Sequence, residues 1–438
     1  MTIKDIHGHA MSAADANAAE HYEAACALLR CYLNDPLAEA QAALAQAPDM
    51  TMAHVLVAYL NLLGTEPGGR PVAREALTAA ERCPATERET LHVAAARALA
   101  HGQWQRAGRI LEDLSIRYPK DLLALQVGHQ IDFFTGHSRM LRDRMARAES
   151  HWHAGMPGRH AVLAMLAFGL EETADYARAE TLGRLSVELE PRDGWGWHAV
   201  AHVMEMQNRR RAGIDWLTQQ TPAWSEGSFF AGHNWWHLAL FHLGLDEIDE
   251  AMALLDQRVL GSASPLVLDM IDASALLWRL QLRGASVGDR WDALASRWAA
   301  VSGTSTYAFN DLHAMMAFIG ADRMGDAARL LHAQQQALAL DDDNVGFLKD
   351  VGLGATQAIH QFGLGRHAQA VELLRGVRRE AASFGGSHAQ RDVLDLTLIA
   401  AAERAGDVQM ADALRRERAF LRETQGVRSD HNWAGASP

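Results

Sequence analysis

His198, His237 and His313 each precede, by fourteen residues, an alanine (Ala212, Ala251 and Ala327) that holds the same place in a recurring short pattern. Equal register in a repeating chain puts equivalent side chains on one wall, so imidazoles from three segments are expected to face a common surface. His198, His202 and Glu205 stand at i, i+4 and i+7, which makes a single stripe on a helix. Two ring nitrogens at that spacing can hold zinc or another first-row divalent metal. Glu205 would then be a third ligand or a general base, and His237 would add a ligand from the neighbouring segment. His233 and His237 repeat the four-residue step, with His242 beyond them at a spacing that points elsewhere. Two further blocks, Asn310-Asp311-Leu312-His313 and Ser387-His388-Ala389-Gln390-Arg391-Asp392, supply a candidate catalytic set. In it His313 and His388 move protons, Asp311 and Asp392 orient imidazoles, and Arg391 grips a carboxylate or phosphate. Without a metal the same histidines suit acid–base work, because imidazole titrates near pH ~6.5.

Each residue also has a plainer reading. A lone helical histidine is usually just a partly exposed polar group. HAVAH lacks the glutamate of the HExxH zinc motif. His202 falls where helical repeats prefer a small packing residue. Trp195, Trp197, Trp235 and Trp236 suit packing or a groove wall better than a ligand cage. Asp311 could be only a helix cap, and Glu171-Glu172 only a solvated helix end. The shared register of three histidines is what lifts the joint reading above these.

The elements that must carry these groups are helices. β-Branched runs are short, whereas Ala, Leu, Arg, Glu and Gln dominate. A turn, a bulky residue, two variable positions and an alanine recur at Trp104 to Ala107, Tyr176 to Ala179, Arg209 to Ala212, Ile248 to Ala251, Met324 to Ala327, His367 to Ala370 and Val408 to Ala411. This resembles the start of the second helix of a tetratricopeptide repeat, where a small residue lets two helices approach. Pro119 and Pro191 follow two of the anchors where such a helix should stop. The gaps from Ala107 to Ala179 and from Ala251 to Ala327 each leave room for one degenerate repeat. The expected fold is all-α: a right-handed α–α solenoid of irregular helix-turn-helix repeats over residues 20–425, whose inner loops narrow or close a concave groove. Residues 1–19 and 426–438 are expected to be poorly tied down.

Composition bounds the class. The 438 residues carry 41 Lys and Arg against 54 Asp and Glu, a formal charge of −13, which argues against a nucleic-acid partner. The start lacks the layout of a signal peptide, and no apolar run approaches the length of a membrane span. Cys26, Cys31 and Cys83 have no disulfide or zinc-knuckle spacing. A cytoplasmic protein is expected. No glycine-rich βα fingerprint or CxxCH sequence supports a redox cofactor.

The blocks FGLEETADYARAE (168–180), HAVAHVMEMQ (198–207), NWWHLALFHL (234–243), FNDLHAMMA (309–317) and GGSHAQRDV (385–393) resemble the tetratricopeptide repeat protein 38 family, over roughly 20–425. The resemblance implies a soluble, all-helical repeat protein and carries no catalytic role onto any residue. Two function classes follow from the residues. One is a metal- or histidine-dependent enzyme, hydrolytic or eliminating, that acts on a small polar molecule. The other is a non-catalytic scaffold or small-molecule binder that uses the groove, with a protein partner. An enzyme requires the histidines to converge on one focus, whereas a scaffold spreads them along an open groove. The sequence leaves the oligomeric state open.

Overall fold

The computed structural model describes residues 3–261, 264 and 266–423, and among these the regular structure is entirely helical. Two isolated bridges, Lys4 with Ala10 and Leu33 with Ser228, are the only β pairings described. No described helix is long and apolar enough to cross a membrane. Helices run in antiparallel pairs, and each sequence-marked second helix opens at or next to its bulky residue. Examples are Trp104–Arg117, Tyr176–Leu189, Ile248–Leu254, Met324–Ala337, His367–Val377 and Val408–Glu423. Their anchors Ala107, Ala179, Ala251, Ala327, Ala370 and Ala411 are wholly buried, as close helix approach demands. The two long gaps each hold the expected extra pair, Leu122–Phe134 with Ser138–Glu149 and Val267–Leu282 with Arg290–Val301.

One repeat departs from the pattern. Its second helix, Arg210–Thr218, starts one residue late, and Ala212 is only half-buried. Gly213 takes the anchor's place: a Cβ there would lie 2.3 Å from the Phe241 ring, so only glycine permits this approach. His198 is therefore fourteen residues from the expected anchor, Ala212, but fifteen from the working one, Gly213. Its register match with His237 and His313 is off by one position, and helix packing rather than register decides where it points.

Distant repeats meet across the inner side. The Asn310 amide donates to the Thr65 hydroxyl at 3.0 Å, the Tyr307 hydroxyl donates to the Phe134 carbonyl at 2.9 Å, and the Val267 amide donates to Glu66 at 2.9 Å. First-helix faces that would line an open groove are buried instead, including His129, Asp311 and His313. The amino-terminal segment, expected to be loose, is packed from residue 3. Met11 enters the core, and the Ser12 amide and hydroxyl both donate to Glu89, at 2.8 and 2.6 Å. The expected tail, 426–438, lies outside the described residues.

Candidate metal centre

Two neighbouring first helices build the site. Gly194–Met206 is capped by Asp193, whose carboxylate accepts from the Trp195 and Gly196 amides at 3.1 Å each. Ala231–Gly244 is tied to it where the Asn234 amide donates to the Gly194 carbonyl at 3.1 Å. The first helix presents His198 and His202 one turn apart, and the second presents His233 and His237 at the same step. All four can offer a ring nitrogen within 4.8 Å of each other's. Ring centroids stand 4.4 Å apart for His198 and His202, and 4.5 Å apart for His202 and His237.

Their nitrogens are largely unspoken for. Both nitrogens of His202 and of His237, and Nδ1 of His198, are buried with no hydrogen-bond partner among the described residues. Nδ1 of His233 lies 2.8 Å from Asp272 Oδ2, so Nδ1 carries the proton and donates it, leaving the Nε2 lone pair directed inward. That Nε2 sits 3.1 Å from His198 Nε2. Ligand nitrogens at the edge of a zinc tetrahedron stand about 3.3 Å apart, given Zn–N near 2.0–2.1 Å. The observed pair is within about 0.2 Å of that edge, and is also at hydrogen-bond distance.

An aromatic box surrounds the imidazoles. Phe168 stacks on His198 at 5.2 Å, Trp195 leans on it at 4.6 Å, and Trp236 stacks on His233 at 5.2 Å. Burial in this box, together with the neighbouring imidazoles, holds His198 and His237 well below the ordinary histidine range. Burial likewise pushes His202 down to about 3, against the opposing pull of Glu172. These three are neutral at physiological pH, the form that binds a metal without displacing a proton.

A carboxylate pair adjoins them. Glu171 Oε2 lies 3.5 Å from His202 Nδ1, and neither Glu171 oxygen is hydrogen-bonded. Burial, then the neighbouring Glu172 charge, drives the Glu171 carboxyl well above the usual range, so it holds a proton. Burial also opposes the charge on Glu172, but His388, Arg391 and His202 outweigh it and leave this carboxyl lowered. The two glutamates are thus a buried carboxylate pair rather than a solvated helix end.

The other sequence-selected residues fall in three places. His388 and Arg391 gather on Glu172: the His388 amide donates to Oε1 at 3.0 Å, and the Arg391 guanidinium stands 3.7 Å from Oε2. His388 is 44% exposed at its side chain, so this trio leads from the surface toward His202. Glu205 leaves the imidazoles and pairs with Arg422 at 3.1 Å, while Asp392 accepts two bonds from Arg418 at 2.7 Å each. Neither carboxylate orients a histidine. His313 is buried apart from the cluster, its Nδ1–H donating to the Phe309 carbonyl at 2.8 Å. Asp311 accepts from the Ser305 hydroxyl at 2.5 Å and the Gln334 amide at 3.1 Å, a packing role inside its own repeat.

The repeat register gives His233 no role and does not single out Asp272 or His129. His233 repeats the four-residue step of His198 and His202, and Asp272 is an acidic residue inside the otherwise apolar run MIDASALLW. Both signals were present. His129, buried edge-on to Phe168 and Trp195 with both nitrogens unpartnered, had none.

No family model matches the chain. Among solved structures, a chain from the crystal structure of the APC/C hetero-tetramer Cut9–Hcn1 is similar at 13% identity and a TM-score of 0.34, over 88% of this chain and 80% of that one.

Proposed function

We propose that this tetratricopeptide-like helical protein holds a divalent first-row metal, zinc by preference, on His198, His202 and His237, and uses it in hydrolysis or elimination on a small polar molecule. One observation carries the reading. Buried imidazoles on two adjacent helices point nitrogens at one another without a protein partner, and the alternative to a ligand is an uncompensated desolvation cost. Neutral nitrogen donors favour zinc and its neighbours over magnesium or calcium, which take oxygen.

The fourth histidine decides between two uses. Three imidazoles leave a metal an open position, as catalysis needs, whereas four close it. His233 differs from the others: Asp272 sets its tautomer, and at 14% side-chain exposure it is the least buried. It is the residue suited to take a proton, with Asp272 stabilising the resulting imidazolium. Glu171, protonated beside His202, is placed to give one. The metal's part is to polarise a bound oxygen. A second reading has support in the burial of the site, since His198, His202 and His237 are at most 2% exposed. There the metal is closed by four imidazoles and staples two repeats together without turnover. Both readings are compatible with kinship to the tetratricopeptide repeat protein 38 family, which the blocks at 198–207 and 234–243 resemble; these contain His198, His202 and His237, with His233 just before the second.

The test is elemental analysis of untagged protein purified without chelators, with cobalt-substituted absorption spectra. Near-stoichiometric metal that is lost in His198→Ala/His237→Ala supports the centre. Retention of metal and of the cobalt spectrum in His233→Gln supports the three-ligand, catalytic form; loss of both supports the staple. A folded protein that takes up neither zinc nor cobalt refutes the proposal.

A further inference from the structure

Beyond the aromatic box, on the far side of Trp236, lies a cavity of about 160 Å³. Its wall brings together parts of the chain remote in sequence: Arg279, Arg210, the carboxylates Glu205 and Asp392, and Arg418 and Arg422 from the last described helix. Charge bookkeeping around it does not close. Asp392 is bound by Arg418 and by Arg422 at 3.1 Å, and Glu205 is bound by Arg422. The remaining lining carboxylate, Glu403, is engaged by Arg415. Every acidic group of the wall therefore already has a cationic partner.

Two guanidiniums are left over. Arg279 is 3% exposed, and among the described residues no carboxylate lies within ion-pair distance of it. Its partners are carbonyls: Ala275 at 3.1 Å, Ala389 at 2.7 Å and Gln390 at 3.3 Å, with the Trp236 ring 5.4 Å below. Among the described residues Arg210 reaches only the Gly244 carbonyl. Carbonyl dipoles and a ring face solvate a guanidinium in part, but a buried cation without a counter-charge is left incompletely compensated for its lost water. Burial accordingly lowers Arg279 to about 10, with Asp392 and Glu205 opposing.

We propose that this cavity binds a small oxyanion, a carboxylate or phosphate group, between Arg279 and Arg210. The guanidinium fork matches both groups, which an ammonium does not. At 160 Å³ the space is worth roughly five waters, enough for a phosphate or a short dicarboxylate and too little for a nucleotide. The histidine cluster supplies no part of this site, so the inference stands independently of any metal.

Thermal unfolding and isothermal titration of chelated protein in an anion-poor buffer test it, with inorganic phosphate and succinate as separate probes and sodium chloride at matched ionic strength as control. Saturable stabilisation by phosphate, by succinate or by both is expected, and which one acts identifies the group. Arg279→Gln and Arg210→Gln should each weaken binding about tenfold or more. Arg210 is partly exposed, so its variant stays folded if the buried Arg279 variant does not. No effect of either probe beyond that of chloride at millimolar concentration overturns the proposal. So does unchanged binding in folded Arg210→Gln.

Discussion

Replacing His237 with phenylalanine should stabilise the metal-free protein and destabilise the metal-loaded one, in opposite directions at one site. His237 is fully buried, and both its nitrogens lack partners. A buried donor or acceptor left unsatisfied costs about 1–3 kcal/mol. Phenylalanine removes both polar atoms and keeps a ring in a box already formed by Trp236 and the neighbouring imidazoles. Its extra bulk returns part of that gain as strain, of order 1 kcal/mol. The net expectation is a gain of up to about 2 kcal/mol for chelated His237→Phe over chelated wild type. With zinc at a hundredfold excess over its dissociation constant, wild type should gain about 2.7 kcal/mol by linkage and the variant almost nothing. The order of stabilities then inverts.

Urea unfolding, with and without chelator, measures both halves. Helical arrays can unfold in parts, so circular dichroism should be paired with tryptophan emission, which Trp195 and Trp236 make sensitive to the box. A chelated variant several kcal/mol less stable than wild type would show that the imidazole is satisfied within the protein. Wild type indifferent to zinc would remove the metal from the argument.

Asp311 should make stability depend on pH. Burial raises its carboxyl to about 7, against hydrogen bonds from Ser305 and Gln334, so the folded state holds a proton that the unfolded chain releases near pH ~4. Its contribution is therefore complete below about pH 4 and is lost as pH rises through about 7; Asp311→Asn should flatten that loss and be the more stable protein at pH 8 by a few kcal/mol. Equal pH slopes for both proteins in denaturant titrations would refute this. Arg144 and Asp132 form a buried bidentate pair at 2.7 and 3.0 Å. Asp132→Ala, which strands the guanidinium, should cost about 3–5 kcal/mol, and Asp132→Leu/Arg144→Met should recover most of it. A double variant as unstable as the single one would contradict the electrostatic account.

The helical-repeat architecture was legible because it is written in local chemistry. A bulky residue followed three places later by alanine marks a helix start and a close packing point. Six of the seven marked anchors are wholly buried where the pattern placed them. The seventh failed by one residue, since Gly213 beside Phe241 allows a nearer approach than Ala212, and only the packed partner reveals which small residue is used. The i, i+4 pairs His198/His202 and His233/His237 could likewise be read as shared helix faces.

What the sequence by itself determined, then, is the helical repeat and which side chains share a turn. Which turns face one another was decided by the tertiary structure. Glu205 is one turn beyond His202, yet it swings to Arg422, more than two hundred residues away, because an ion pair outbids a crowded aromatic box. Asp272 reaches His233 from the next repeat, and His388 and Arg391 reach Glu172 from near the end of the chain. Helical periodicity is a short-range property of the backbone; the curl that brings these repeats together is a sum over all their contacts, and no single motif encodes it.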